Sequence, residues 1–296
     1  MALDFIIVSP PYTDKSAGIM VLHDLCSTLN LLNYKAGILF ISSGSQENQD
    51  FKFAYSNNKD LLNPNGIYYD YISEKNASEI AKNIQNSCVI YPDIIVGNPL
   101  GASKFSTYVL GIPKTKVSSE FVITYFSIFY EKYDYLLCKP FISNEIHERG
   151  SQHWTQRTLN LTYIGKGINI PNSKIIPGTL LLERNWPSDK PQLGILLRSC
   201  KYFFTWDFSG TNLDAVVSGA LPVLIKDNYM PIEKINNTEF GCFPIIDIDE
   251  LDDFRFNPKN INYIDECLMQ MKNKLKYYTE NWTQQVAGLA IKLKSF

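Results

Sequence analysis

Residues 201–225 read KYFFTWDFSGTNLDAVVSGALPVLI. The run Tyr202-Phe203-Phe204 has the length and aromatic composition of a strand. A polar turn, Asp207-Phe208-Ser209-Gly210-Thr211, leads into a helical segment from Asn212 to Ser218. Gly219 stops that helix, and Leu221 to Ile225 forms a second apolar run. Strand, polar loop, short helix and strand make a βαβ unit. In such a unit a ligand lies where the carboxyl end of the strand meets the helix N-terminus, whose free N–H groups favour anions. Ser209, Gly210 and Thr211 stand at that point.

Working outward, the pattern repeats on both sides. Leu159 to Ile164 is a strand ending in Gly165-Lys166-Gly167, and Thr179 to Leu182 is a strand ending at Glu183-Arg184-Asn185-Trp186-Pro187. A helix follows from Pro191 to Ser199, and after residue 225 come a strand from Cys242 to Ile246 and a helix from about Pro258 to Tyr277. The N-terminal half opens on a nearly continuous apolar strand, Leu3 to Val8, as a parallel strand covered on both faces requires. Ser16 can cap a helix running to about Asn33, with Ile19, Leu22, Cys26 and Leu29 on one stripe, before a strand from Ala36 to Ser42. Residues 43–59 read as a polar loop, Gly66 to Ile72 and Cys88 to Gly97 as strands around a helix ending near Asn86, Ala102 to Leu110 as a helix, and Tyr133 to Cys138 as a short strand. Trp282, Val286, Leu289, Ala290 and Leu293 mark a last amphipathic helix. The chain therefore reads as α/β, with Rossmann-like domains at 1–157 and 158–278 facing across a cleft, and a helix at 279–296 packing back on the first.

Composition narrows the partners. A net charge of −2 over 296 residues argues against nucleic acid, whose binding rests on Lys and Arg neutralising phosphates. Lys272, Lys274, Lys276, Lys292 and Lys294 make the C-terminus locally basic, as solvated helix faces or as a patch on a membrane surface. Six cysteines stand singly, without C-x-x-C, which suits buried thiols in a reducing compartment and gives no zinc site. With neither a secretory signal nor a long apolar run, the sequence reads as cytoplasmic, including a peripheral place at the cytoplasmic face of the inner membrane.

No phosphate loop of the G-x-x-x-x-G-K-S/T type and no G-x-S-x-G elbow is present. Asp247-Ile248-Asp249 runs into Glu250, Asp252 and Asp253 and reads as a solvated acidic loop, so no metal ligands are assigned. Lys166, between two glycines after a strand, can bring its ammonium close to a phosphate. Arg184, at the end of another strand, can grip the same group in a bidentate fashion. For both, a surface charge at a strand end is the alternative.

Taken in order, Tyr163-Ile164-Gly165-Lys166-Gly167, Arg184-x-Trp186-Pro187, Trp206-Asp207-x-Ser209-x-x-x-x-Asp214-Ala215 and Gly219-Ala220-Leu221-Pro222-Val223 resemble the donor-binding domain of GT-B glycosyltransferases. The likeness is to family-4-like enzymes of bacterial surface-polysaccharide (O-antigen, capsule or lipopolysaccharide) assembly. Pro10-Pro11-Tyr12, Ser16-Ala17-Gly18, Val21-Leu22-His23, Tyr91-Pro92-Asp93 and Gly97-Asn98-Pro99-Leu100 extend it over most of the chain. The resemblance implies transfer of a sugar from a nucleotide-sugar, such as a UDP- or GDP-sugar, to a glycan or lipid-linked glycan, without cofactor or metal. By position, Asp214 takes the place of the second acid of the family's E-x(7)-E pattern, which bonds ribose hydroxyls. Lys166 and Arg184 resemble the basic pair on the diphosphate, with Asp207, Ser209, Gly210 and Thr211 on the donor loop. The first acid's place is held by Trp206, one position before Asp207, and Asp stands where the second Glu is usual, which leaves retaining or inverting chemistry open.

In the N-terminal half, Ser16 and Gly18 at a helix start can receive the acceptor or a phosphate. Asn98 can bond a sugar hydroxyl or stabilise a turn. His23 reads as a satisfied core-edge histidine or as the catalytic base, and Trp186 and Trp206 as stacking surfaces or core. A nucleotide-sugar epimerase and a catalytically silent binding protein of the same shape are the competing readings.

Overall fold

The computed structural model describes residues 3–54, 58–68, 77–142, 146, 152–165, 175–183, 186–206, 208–225, 238–241, 243–246 and 258–296. The chain divides into two compact units, Met1–Lys139 with Thr279–Phe296, and Pro140–Tyr278. The first division falls at Lys139, ahead of the junction expected at Arg157.

In the first unit β1 (Phe5–Ser9), buried along its whole length, is the centre of a seven-stranded sheet. The sheet runs β3 (Lys52–Ala54), β2 (Ala36–Ser43), β1, β4 (Cys88–Pro92), β5 (Lys104–Val109), β6 (Phe121–Thr124) and β7 (Tyr135–Leu136). All pairs are parallel except the edge pair β2–β3. The order reverses between β1 and β4, where helix α1 (Ala17–Leu31) leaves β1. Val21, Leu22, Leu25, Cys26 and Leu29 are the buried apolar face of α1. Asn33, at φ 65°, ends it, and Asn30 donates to the carbonyls of Cys26 and Ala36 while accepting from the Ala36 N–H, stitching the helix end to β2.

Three expectations are corrected here, and one strand is added. Residues 104–109 are strand β5 rather than helix: Thr107, Tyr108 and Val109 favour extended backbone, and Ser106 to Val109 are buried on both faces of the sheet. β6 was not expected at all, although Phe121-Val122-Ile123-Thr124 is a strand-like run. The loop at 43–59 contains β3, paired through Phe40↔Ala54 and Ile41↔Phe53. Gly66 to Tyr68 are not strand, and the rest of that expected element lies outside the described residues.

The second unit holds a five-stranded parallel sheet in the order β12 (Ile245–Ile246), β11 (Leu221–Ile225), β10 (Cys200–Thr205), β8 (Leu159–Tyr163) and β9 (Leu180–Leu182). Helix α3 (Lys190–Ser199) is capped by Asp189, whose carboxylate accepts from the Gln192 N–H at 2.8 Å. Helix α4 (Gly210–Val217) joins β10 to β11 and ends at Gly219, whose φ of 77° is the left-handed stop that glycine adopts without strain. Leu197 of α3 and Ala215 of α4 join Leu161, Leu182, Phe203 and Ala220 in one core cluster.

Two helices close the chain, α5 (Pro258–Glu280) and α6 (Trp282–Ser295). On α6 the expected stripe Trp282, Val286, Leu289, Ala290 and Leu293 is buried, and the Trp282 indole N–H donates to Thr28 Oγ1 of α1 at 2.8 Å. Lys139 pairs with Asp24 of the same helix at 2.7 Å and lies over the Trp282 ring. No helix among the described residues is long and apolar enough to cross a membrane. Cys26, Cys88, Cys138, Cys200 and Cys267 are buried free thiols. Burial pushes the Cys88 thiol up to about 12, and those of Cys26 and Cys200 up as well.

Candidate functional site

The second sheet reverses its strand order between β8 and β10, so the carboxyl ends of these two strands open a crevice of the kind in which α/β sheets bind ligands. Tyr163 stands beside Thr205 in the register of the two strands, and Ile164 N donates to Leu182 O, bringing the end of β9 alongside. Gly165 leaves β8 at φ 59°. Its successor Lys166, together with Arg184 and Asp207, lies outside the described residues. The strands that precede these three in sequence are the neighbours β8, β9 and β10.

From β10 the chain enters α4 through Ser209, an extended N-cap at φ −134°, ψ 170°. Its carbonyl accepts from the Asn212 N–H, but its hydroxyl caps nothing: Oγ is shielded from solvent and has no hydrogen-bond partner among the described residues. Gly210 and Thr211 follow in the first turn, half-buried, where amide groups have no intrahelical acceptor. Asp214 is in the next turn, also half-buried, with Oδ1 shielded and without a hydrogen-bond partner among the described residues. Burial pushes its carboxyl up to about 7, against the pull of the Lys190 ammonium. Near neutral pH this group can therefore either donate to a hydroxyl or accept from one. A buried hydroxyl and a buried carboxyl oxygen left open on one short helix are what a polyhydroxyl or anionic ligand would satisfy.

The two tryptophans separate. Trp206 is core, 4% exposed. Trp186, at the end of β9, is 43% exposed and exchanges two backbone hydrogen bonds with Glu183.

In the first unit the reversal between β1 and β4 lies at the N-terminus of α1. Ser16 is its N-cap, again with no side-chain capping bond. A Cβ built on Gly18 would meet Leu110 Cδ1 at 3.6 Å, an ordinary contact, so packing inside the protein does not require glycine there. His23 is fully buried. Its Nε2–H donates to the Pro10 carbonyl at 3.0 Å, and Nδ1 lies 3.4 Å from the Tyr68 hydroxyl. Tyr12 packs edge-on against the ring, and burial lowers its pKa, so the imidazole is a neutral core group. The ring is thus held by the Pro10 carbonyl, Tyr68 and Tyr12. Asn98 accepts from Tyr91 OH and Ala102 N and donates to Ala102 O. Those bonds hold a turn.

Sequence reasoning passed over Arg157. It is 5% exposed, and its guanidinium bonds the carbonyls of Gln152, Leu197, Cys200 and Ser218. These four acceptors are backbone carbonyls, which no side-chain pattern in the sequence announces.

No family model matches the chain, and no curated protein matches it. Solved structures do. The glycotransferase of kitacinnamycin is similar at 11% identity and a TM-score of 0.51, over 99% of this chain and 99% of that one. A glycosyltransferase from Rickettsia africae is similar at 11% identity and a TM-score of 0.51, over 99% of this chain and 98% of that one. With the two largely parallel sheets, this likeness over the full length shows the fold: the chain is α/β, with two Rossmann-like domains in the GT-B fold.

Proposed function

We propose that the chain is a glycosyltransferase that moves a sugar from a nucleoside-diphosphate sugar to a glycan or lipid-linked glycan in surface polysaccharide assembly, working at the cytoplasmic face of a membrane. The observation that carries the donor reading is the pair of open buried oxygens, Ser209 Oγ and Asp214 Oδ1, on the helix that starts at the β8/β10 crevice. In this reading Asp214 bonds a ribose hydroxyl, and Ser209, Gly210 and Thr211 take the diphosphate with hydroxyls and amides. Lys166 and Arg184 supply its positive charge, with Asp207 beside them. As the bond from the sugar carbon to the diphosphate oxygen breaks, the electron pair leaves with the diphosphate, and the acceptor oxygen bonds the same carbon and gives up its proton to water. Donors fixed on the diphosphate stabilise that growing charge more than they stabilise the bound substrate, and no metal is needed. Ser16 and Gly18, at the other switch point, are assigned to the acceptor or to a donor phosphate.

The test incubates the full chain with a panel of UDP-, GDP- and TDP-sugars, with and without lipid-linked and free glycan acceptors, in the presence of EDTA, and follows nucleoside diphosphate release. Acceptor-dependent release supports transfer. Sugar isomerisation without release would replace transfer by epimerisation, and neither outcome would leave a binding protein.

A further inference from the structure

We propose that Arg157 is a positioning residue for the donor site, setting the height and rotation at which α4 presents Asp214 to the β8/β10 crevice. The inference rests on the donor reading above and adds to it a buried residue that acts through the helix. α4 has eight residues, about 12 Å of helix, and so short a segment takes its placement from what holds it rather than from its own hydrogen bonds. Leu213, Ala215 and Val216 are buried on it, and apolar packing of that kind is non-directional. At the N-terminus the Ser209 hydroxyl makes no capping bond.

The C-terminus is held by directional bonds. Ser218 O accepts from Arg157 Nη1 at 3.1 Å, and the same nitrogen donates to Cys200 O at 3.2 Å. Cys200 opens β10, the strand that feeds α4, so one guanidinium joins the start of this strand–helix unit to its end. Leu197 O of α3, at 3.4 Å, and Gln152 O, bonded by Nε at 2.8 Å, fix the guanidinium in turn. A planar fork gives these bonds a set direction that the ammonium of a lysine does not reproduce. Asp214 is one turn from the gripped residue: Ser218 N donates to Asp214 O at 3.0 Å. Helical side chains tilt toward the N-terminus, which aims the Asp214 carboxyl back toward the crevice end of α4. A slide or rotation of α4 at Ser218 is therefore carried to that carboxyl, and a misplacement of about 1 Å can cost a contact its whole effect.

The experiment is calorimetric titration of the full chain, well below the melting temperature of each variant, with UDP, GDP and TDP and with the analogue of each that lacks the sugar hydroxyls. The parent should bind one of the three at least roughly tenfold more tightly than its analogue, the worth of a hydrogen bond to Asp214. Arg157→Lys and Arg157→Gln should bring that ratio to within about twofold of unity, while affinity for the analogue moves by less than about threefold. Asp214→Ala should do the same, and Arg157→Lys added to it should cost nothing further, since both changes remove one contact. Ile264→Ala destabilises the same unit by removing buried packing on α5, and should keep the parental ratio. A parental ratio in both Arg157 variants, an equal loss in Ile264→Ala, or additive losses in the double variant would overturn the role of Arg157 and leave donor binding standing. No binding of any of the three diphosphates by the parent, or binding indifferent to the sugar hydroxyls, would overturn the donor reading of Asp214 and this inference with it.

Discussion

Nη1 of Arg157 donates to the carbonyl oxygen of Ser218 at 3.1 Å, tying the C-terminus of α4 to the segment that leads into β8. The same nitrogen reaches Leu197 O at 3.4 Å and Cys200 O at 3.2 Å at the end of α3. Carbonyls at helix C-termini carry partial negative charge, so one buried guanidinium neutralises the ends of both helices. Arg157→Met should lower the stability of the second unit by about 3 kcal/mol, because it removes a buried charged donor shared by the carbonyls at the ends of both helices. Arg157→Lys should recover little, since an ammonium lacks the planar fork. Urea unfolding followed by fluorescence measures both, and an unshifted midpoint in Arg157→Met would show the bonds to be of no consequence.

Asp214 makes stability depend on pH in the direction opposite to that of most carboxylates. The unfolded carboxyl titrates near 3.8 and the folded one near 7, so between these values the native state holds a proton that the unfolded chain has lost. Stability contributed at this position falls as pH rises through that interval and is level above it. Asp214→Asn should therefore gain on the parent protein with rising pH, by on the order of 4 kcal/mol at the plateau. Melts of both proteins over a pH series give the difference, and a constant gap would mean that Asp214 titrates normally.

For His23 the sign is reversed. Burial lowers its pKa below the ordinary 6.5, so on acidification the unfolded chain takes up a proton first. The parent protein should lose stability relative to His23→Gln as pH falls below 6.5. Above that pH the variant should be weaker by about 1 kcal/mol, for the bond to the Pro10 carbonyl. Turnover of folded His23→Gln should stay within a few-fold of the parent, in contrast to the loss of about 10² or more expected on removing a general base.

Lys166→Ala should lower kcat by about 10²–10³, the usual loss for one donor aimed at a developing negative charge. Steady-state diphosphate release from purified enzyme settles this, and parental turnover would remove Lys166 from the donor site.

Trp282→Ala should detach α6 from α1 at a cost of about 3–5 kcal/mol, since a buried indole and its bond to Thr28 are lost together. Faster amide exchange confined to the first unit, and strongest in residues 282–295, is the expected readout.

Where hydrophobic period and turn chemistry agree, the sequence was readable: β10, α4 and β11 lie within a residue or two of their expected bounds, as do β1, α1 and the buried stripe of α6. The helix expected over 102–110 failed because Ala102 and Leu110 bracket a run whose β-branched and aromatic side chains are buried on alternate faces, a pattern that short apolar segments share with helices. β3 escaped notice because a three-residue edge strand needs little apolar surface. At the candidate site the loop position of Ser209 was legible and the open state of its hydroxyl was not, since that depends on which neighbours fold around it. Asn98 shows the same limit from the other side: its place in a loop was evident, but its three bonds to Tyr91 and Ala102 come from the turn closing on itself.

The buried thiols give the protein an internal clock for opening. Cys26, Cys88 and Cys138 belong to the first unit and Cys200 and Cys267 to the second, all out of reach of solvent. A thiol reagent can label them only through transient exposure, so their labelling rates, resolved peptide by peptide, time the local unfolding of each unit separately. Added nucleotide-sugar that engages the second unit would slow the labelling of Cys200 and Cys267, giving a binding assay that needs neither an acceptor nor turnover.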